Sequence, residues 1–95
     1  MFTIQKYKRP DSFFVAIEMT KENILEVLAY TSLGAHIDPA EGNISVHGRN
    51  YEFGDFVMRR NDTAPWEFAH AEFINNQGFP LEGESKEATS WKWPK

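Results

Sequence analysis

The sequence predicts an α+β domain in which one helix packs on a small, mainly antiparallel sheet, in the order β-β-α-β-β-β. Three observations predict it. Phe13, Val15, Ile17 and Met19 alternate with Phe14, Ala16 and Glu18, the period of a strand. One apolar stripe at helical spacing follows, behind a threonine suited to cap it. Short β-rich pieces then alternate with Gly, Asn, Asp and Pro turn chemistry. A chain of 95 residues has room for one domain with a single helix-on-sheet core.

The elements follow in order. Phe2 to Tyr7 alternate as a short strand, and Pro10-Asp11-Ser12 is a turn. Ser12 to Met19 form the second strand. Its Phe13, Val15, Ile17 and Met19 face is wholly apolar and is expected on the core. Thr20 is the expected N-cap of a helix over 21–31, with Glu22 favourable near its positive end. Ile24, Leu25, Leu28 and Val27 form its apolar stripe, Glu26 faces water, and Gly34 is the expected left-handed stop.

Residues 35–43 are expected as a loop around Asp38-Pro39. Ile44 and Val46 mark a short strand, and Gly48-Arg49-Asn50 a hairpin turn. Two strand pieces, 51–53 and 55–60, are interrupted at Gly54, where a bulge or tight turn is expected. After the turn 61–65, Trp66 to Ile74 is expected as one strand, with Trp66, Phe68, His70 and Glu72 on one face. Residues 1–81 then make the single domain. Residues 82–95 are a polar tail that ends in a Trp-Lys-Trp docking segment.

Composition excludes several classes. With 41% hydrophobic and 15% aromatic residues, the chain is not disordered. It has no cysteine, so disulfides, thiol nucleophiles and zinc fingers fall away together, and a reducing cytosol is the natural setting. No stretch approaches the roughly 18 apolar residues of a membrane span, and the opening does not have the form of a signal peptide. The net charge of −4 disfavours non-specific nucleic-acid binding. Fourteen aromatic rings exceed what so small a core holds, which predicts a homo-oligomer, most simply a dimer, with Trp91 and Trp93 in its interface.

No catalytic signature is present. There is no Gly-x-Ser-x-Gly elbow and no glycine-rich phosphate loop, so no catalytic residue, metal or cofactor is expected. His36 and Asp38 are too few for a metal site and are expected as a solvated Asx turn. Lys6, Lys8 and Arg9 form a local basic patch, whose bland role is to protect an edge strand. Arg59 and Arg60 offer planar forks suited to phosphate, and Trp66, Phe68 and His70 offer rings for stacking a base. Arginine with aromatic rings on one sheet is what a nucleotide pocket needs. The competing expectation is that the rings are core and the arginines solvated.

The chain resembles a group of small proteins encoded by tailed bacteriophages. The matching pieces are Lys6-Tyr7-Lys8-Arg9-Pro10, Ser12 to Thr20, Glu22 to Tyr30, Gly54-Asp55-Phe56-Val57, Glu67-Phe68 and Glu72-Phe73, spanning about residues 4 to 75. The resemblance implies a phage accessory gene acting in a bacterial cytoplasm, and carries over no catalytic residue. By analogy it points to a non-catalytic binding protein that antagonises bacterial defence, by sequestering a nucleotide signal or by occluding a host defence protein. A small nucleotide-cleaving enzyme is the second class of reading, and a structural or assembly factor of the phage the third.

Overall fold

The computed structural model describes residues 2–88. Strand β1 (Phe2–Lys8) pairs antiparallel with β2 (Phe13–Glu18). The turn between them is closed by Arg9 N–H, which donates to the Ser12 carbonyl at 2.9 Å. Helix α1 (Ile24–Thr31) follows, then β3 (His36–Asp38), β4 (Asn43–Val46), β5 (Arg49–Glu52), β6 (Phe56–Arg59), β7 (Glu67–Ala69), α2 (Ala71–Gln77) and β8 (Phe79–Ala88). The strands form a five-stranded sheet, β7-β6-β2-β1-β8, and a three-stranded sheet, β3-β4-β5. Every strand pair among the described residues is antiparallel. The chain is therefore α+β with antiparallel sheets, as the sequence predicts, but its described residues hold two helices and two sheets.

Both faces of the large sheet are buried. On one face Ile17, Met19 and Val57 join Ile24 and Val27 of α1 and Ile44 of β4 in the main core. On the other, Phe14, Ala16 and Met58 meet Tyr7, Ala69 and Ile74 of α2. Strand β2 thus buries Phe14 and Ala16 as deeply as Ile17. Only Phe13, at its open end, departs from the expected apolar face and stays 46% exposed.

Helix α1 starts three residues later than expected: residues 21–23 form a turn, and the N-cap is Asn23 rather than Thr20. Thr20 Oγ1 accepts from Asn23 N–H at 3.2 Å, and Asn23 Oδ1 accepts from Thr20 N–H at 2.8 Å. This reciprocal pair resembles a capping box but closes the turn ahead of the helix. Asn23 Nδ2 also donates to the Glu18 carbonyl at 2.9 Å, tying the turn to the end of β2. The helix stops at Ser32, which takes the left-handed conformation expected of Gly34. Leu25 is 75% exposed; the stripe is Ile24, Val27 and Thr31, the i, i+3, i+7 positions. The β4–β5 hairpin turns one residue earlier than expected, on His47 and Gly48, both at positive φ as a two-residue type I′ turn requires.

Two corrections concern the C-terminal third. The expected strand 66–74 breaks after Ala69, and 71–77 is helix α2, because the Asp55 carboxylate satisfies its first amide. The boundary at 82 falls inside β8, which pairs with β1 from Phe2↔Ala88 to Lys8↔Phe79 across a register shift. Backbone pairing, which polar side chains do not prevent, takes 82–88 into the sheet. Gly78 makes the α2–β8 corner: a Cβ there would collide with the Lys8 carbonyl oxygen. Trp91 and Trp93 lie outside the described residues. Among those described, no helix is long and apolar enough to cross a membrane.

Candidate functional site

The site is organised by Asp55, which follows the sharp bend at Gly54 (φ 105°) between the two sheets. Its side chain is buried, and both oxygens are engaged. Oδ1 accepts from Ala71 N–H at 2.8 Å, the first amide of α2. Oδ2 accepts from Glu52 N–H at 2.9 Å and lies 3.4 Å from His70 Nδ1. One carboxylate thus fixes the end of β5 and the start of α2, beside the imidazole between β7 and α2. A buried carboxylate is stable only when so satisfied.

His70 stacks on Tyr51, with ring centroids 4.5 Å apart and planes at 25°. Tyr51 stacks in turn on Phe68 at 5.3 Å. This short row separates two depressions that share Tyr51 and His70. The first, about 230 Å3, is a groove lined by Arg60, Glu67, Phe68 and Phe73. The second, about 310 Å3, is a hollow lined by Asn43, Asn50, Glu52, Asp55 and Glu72. The groove offers rings and one guanidinium; the hollow offers carboxylates and amides. Arg60 Nη2 pairs with Glu67 Oε1 at 3.3 Å, both side chains being about half exposed.

The structure brings together three of the five residues singled out in the sequence: Arg60, Phe68 and His70 line one groove. Arg59 and Trp66 are placed elsewhere. Arg59 Nε donates to the Ala64 carbonyl and Nη2 to the Asp62 carbonyl, both at 2.7 Å. Its guanidinium lies 5.8 Å from the Trp66 ring centroid. Trp66 is buried in the main core, edge-on to Tyr30 at 5.9 Å. This pair holds the 60–65 turn, on which Arg60 stands.

Sequence reasoning missed Tyr51, Asp55, Phe73 and the acidic hollow. Gly54-Asp55 stands out in the sequence as a turn, but nothing there shows that Asp55 reaches an amide 16 positions on. Asp38 makes the expected Asx turn, its Oδ1 accepting from Ala40 and Glu41 N–H at 3.2 and 3.3 Å, but His36–Asp38 is strand β3, paired with β4, rather than part of a loop. Among the described residues no group of three or more His, Asp or Glu is placed to hold a metal ion. No family model, curated protein or solved structure matches this chain.

Proposed function

We propose that this chain is a non-catalytic binding protein that captures an anionic nucleotide in the groove beside Arg60. The carrying observation is the shared lining around about 230 Å3: the Arg60 guanidinium paired with Glu67, and the rings of Phe68, His70 and Phe73 over the buried Tyr51. Bases stack on aromatic faces regardless of sequence, and guanidinium matches phosphate through paired N–H donors. The acidic neighbour suits ribose hydroxyls, which donate to carboxylates such as Glu72 and Glu52, and rejects phosphate. The two depressions therefore orient a nucleotide, with phosphate toward Arg60 and sugar hydroxyls toward the hollow.

The magnitudes permit capture. The Arg60–Glu67 pair is half exposed, and such surface pairs contribute about 0–1 kcal/mol. A charged hydrogen bond to phosphate contributes about 1.5–3 kcal/mol, so phosphate displaces Glu67. In biological terms the reading is a phage-encoded protein of the bacterial cytoplasm, acting as a homodimer that withholds a nucleotide signal from host defence. That setting rests on the resemblance over residues 4 to 75.

One observation favours a second reading. Asp55 Oδ2 lies 3.4 Å from His70 Nδ1, the neighbourhood in which a carboxylate orients a general-base histidine. A nucleotide-cleaving enzyme would use it. The experiment is a thermal-shift screen of linear and cyclic nucleotides, then calorimetry and chromatography of the recovered ligand. Arg60→Ala is expected to weaken binding by about 10- to 150-fold with the ligand returned intact. A cleaved product, lost with His70→Ala, transfers the protein to the enzyme class. Absence of any nucleotide binding overturns the groove reading and favours occlusion of a host protein.

A further inference from the structure

A second aromatic and cationic surface lies on the large sheet. The strand registers pair Lys8 with Phe13 of β2 and with Phe79 of β8, so the three form one cross-strand row. Directly opposed residues of an antiparallel sheet point to the same face. Phe13 is 46% and Phe79 60% exposed, large rings left in water at the open end of that face. The ammonium groups of Lys6 and Lys8 sit 4.6 and 4.5 Å from the Phe13 ring centroid. A small hollow of about 120 Å3 lies beside that ring, lined by Lys6, Phe13, Val15, Arg59, Arg60 and Asn61. Arg60 therefore borders both this hollow and the aromatic groove.

Charge is as uneven as the rings. The chain carries net −4, yet Lys6, Lys8, Arg9, Arg59 and Arg60, five of its ten Lys and Arg residues, come from the two segments that meet here. The carboxylates in the same segments are Asp11, Asp62 and Glu67, the last already paired with Arg60, while β8 on the far side of β1 adds Glu82, Glu84 and Glu87. Exposed rings interleaved with cations track a phosphate backbone while stacking its bases. A single nucleotide in the groove uses neither Phe13 nor the two lysines.

We propose that the ligand has more than one nucleotide: a short single-stranded oligonucleotide, with one base in the groove, a phosphate at Arg60, and the next base on Phe13. Lys6 and Lys8 hold the adjoining phosphates, for which their flexible stems and three donors are suited. The inference rests on the nucleotide reading of the groove and gives that ligand its length. Arg59 stays with its turn carbonyls and Trp66, and acts by holding Arg60 at the junction.

The test compares uridine monophosphate, diuridylate and hexauridylate by calorimetry at two salt concentrations. The oligomers are expected to bind at least about tenfold tighter than the monophosphate, the gain of one further stacked base. Phe13→Ala is expected to remove that gain and leave the monophosphate affinity unchanged. Lys6→Gln with Lys8→Gln is expected to flatten the logarithmic salt dependence by about 0.7 for each phosphate no longer neutralised. Unaltered melting of these variants, all at partly exposed positions, keeps the comparison clean. Equal affinity for all three ligands, unmoved by Phe13→Ala, overturns the extension and leaves the groove standing. Oligomer binding that depends on Phe13, without monophosphate binding, keeps the sheet surface and overturns the groove. Binding of none overturns both.

Discussion

The two faces of the five-stranded sheet are buried by different means. The main core is closed by α1 and the three-stranded sheet, and draws on residues from β1 to Trp66. The opposite core is closed by α2, seven residues long, and rests on Tyr7, Phe14, Ala16, Met58, Ala69 and Ile74. So short a helix does not hold itself together; isolated helices below about 12–15 residues are marginal in water. Its place depends on Ile74 beneath it, Asp55 at its start and Gly78 at its end. Tertiary packing can make a minor element as decisive as a major one, and the candidate groove sits where that element joins the sheet.

Equal core truncations on the two faces test that lesson most strongly. Ile17 and Ile74 are both fully buried, one in each core. Ile17→Ala and Ile74→Ala are each expected to cost about 2–5 kcal/mol by chemical denaturation. A cost below about 1 kcal/mol at Ile74 alone would show that α2 merely rests on the sheet. A domain of this size has a total stability of about 5–15 kcal/mol, so either variant removes a large share.

Next in size is the carboxylate that starts α2. Asp55→Ala leaves the Ala71 and Glu52 amides without their acceptor. It is expected to cost about 1.5–3 kcal/mol. Hydrogen exchange should quicken first at Ala71 and its neighbours in α2, while Val27 in α1 remains protected. Uniform exchange across both helices would mean that the two cores unfold as one.

Gly78→Ala tests the other end of α2. Its new Cβ meets the Lys8 backbone first and then the buried Phe14 ring, so β1 and β8 must part slightly. An overpacking cost of about 1–3 kcal/mol is expected in melting experiments. Unchanged stability would require a looser corner.

The smallest effect is alkaline. Burial pushes the Tyr7 phenol up, and the charge of Glu18 adds to this. Burial also pushes Tyr30 up, partly offset by Arg59. Tyr7 belongs to the α2-side core and Tyr30 packs on the main core. Both are neutral in either state below about pH 10, the ordinary tyrosine value, so stability there is unaffected. As pH rises through that value the unfolded chain releases these protons first, and stability falls. Ultraviolet titration should show both ionising later than in the unfolded chain, and ordinary ionisation of Tyr7 would mean that the α2 side opens readily.

The local elements were legible because local chemistry dictates them. Alternation over 13–19 gives β2, Thr20 begins the α1 turn, Asp38 folds on its own neighbours, and Gly54 marks the bend. Arg60, Phe68 and His70 were legible as types suited to a nucleotide, and they do share a groove. Their partition from Arg59 and Trp66 was not: Arg59 is held by the turn carbonyls of Asp62 and Ala64, and Trp66 is taken into the main core, partners the sequence does not show.

The α+β class, the antiparallel character and most of the first strand–helix frame are written in the chain, since side-chain period and capping act within a few residues. Three features came from tertiary partners instead: the helix at 71–77, the closing of the sheet edge by 82–88, and the burial of both faces of β2. Each depends on a partner distant in the chain: Asp55 for the first amide of α2, β1 for β8, and Ile74 for Phe14. Propensity in a window of a few residues carries no signal for such partners, and the free energy of meeting them overrides it.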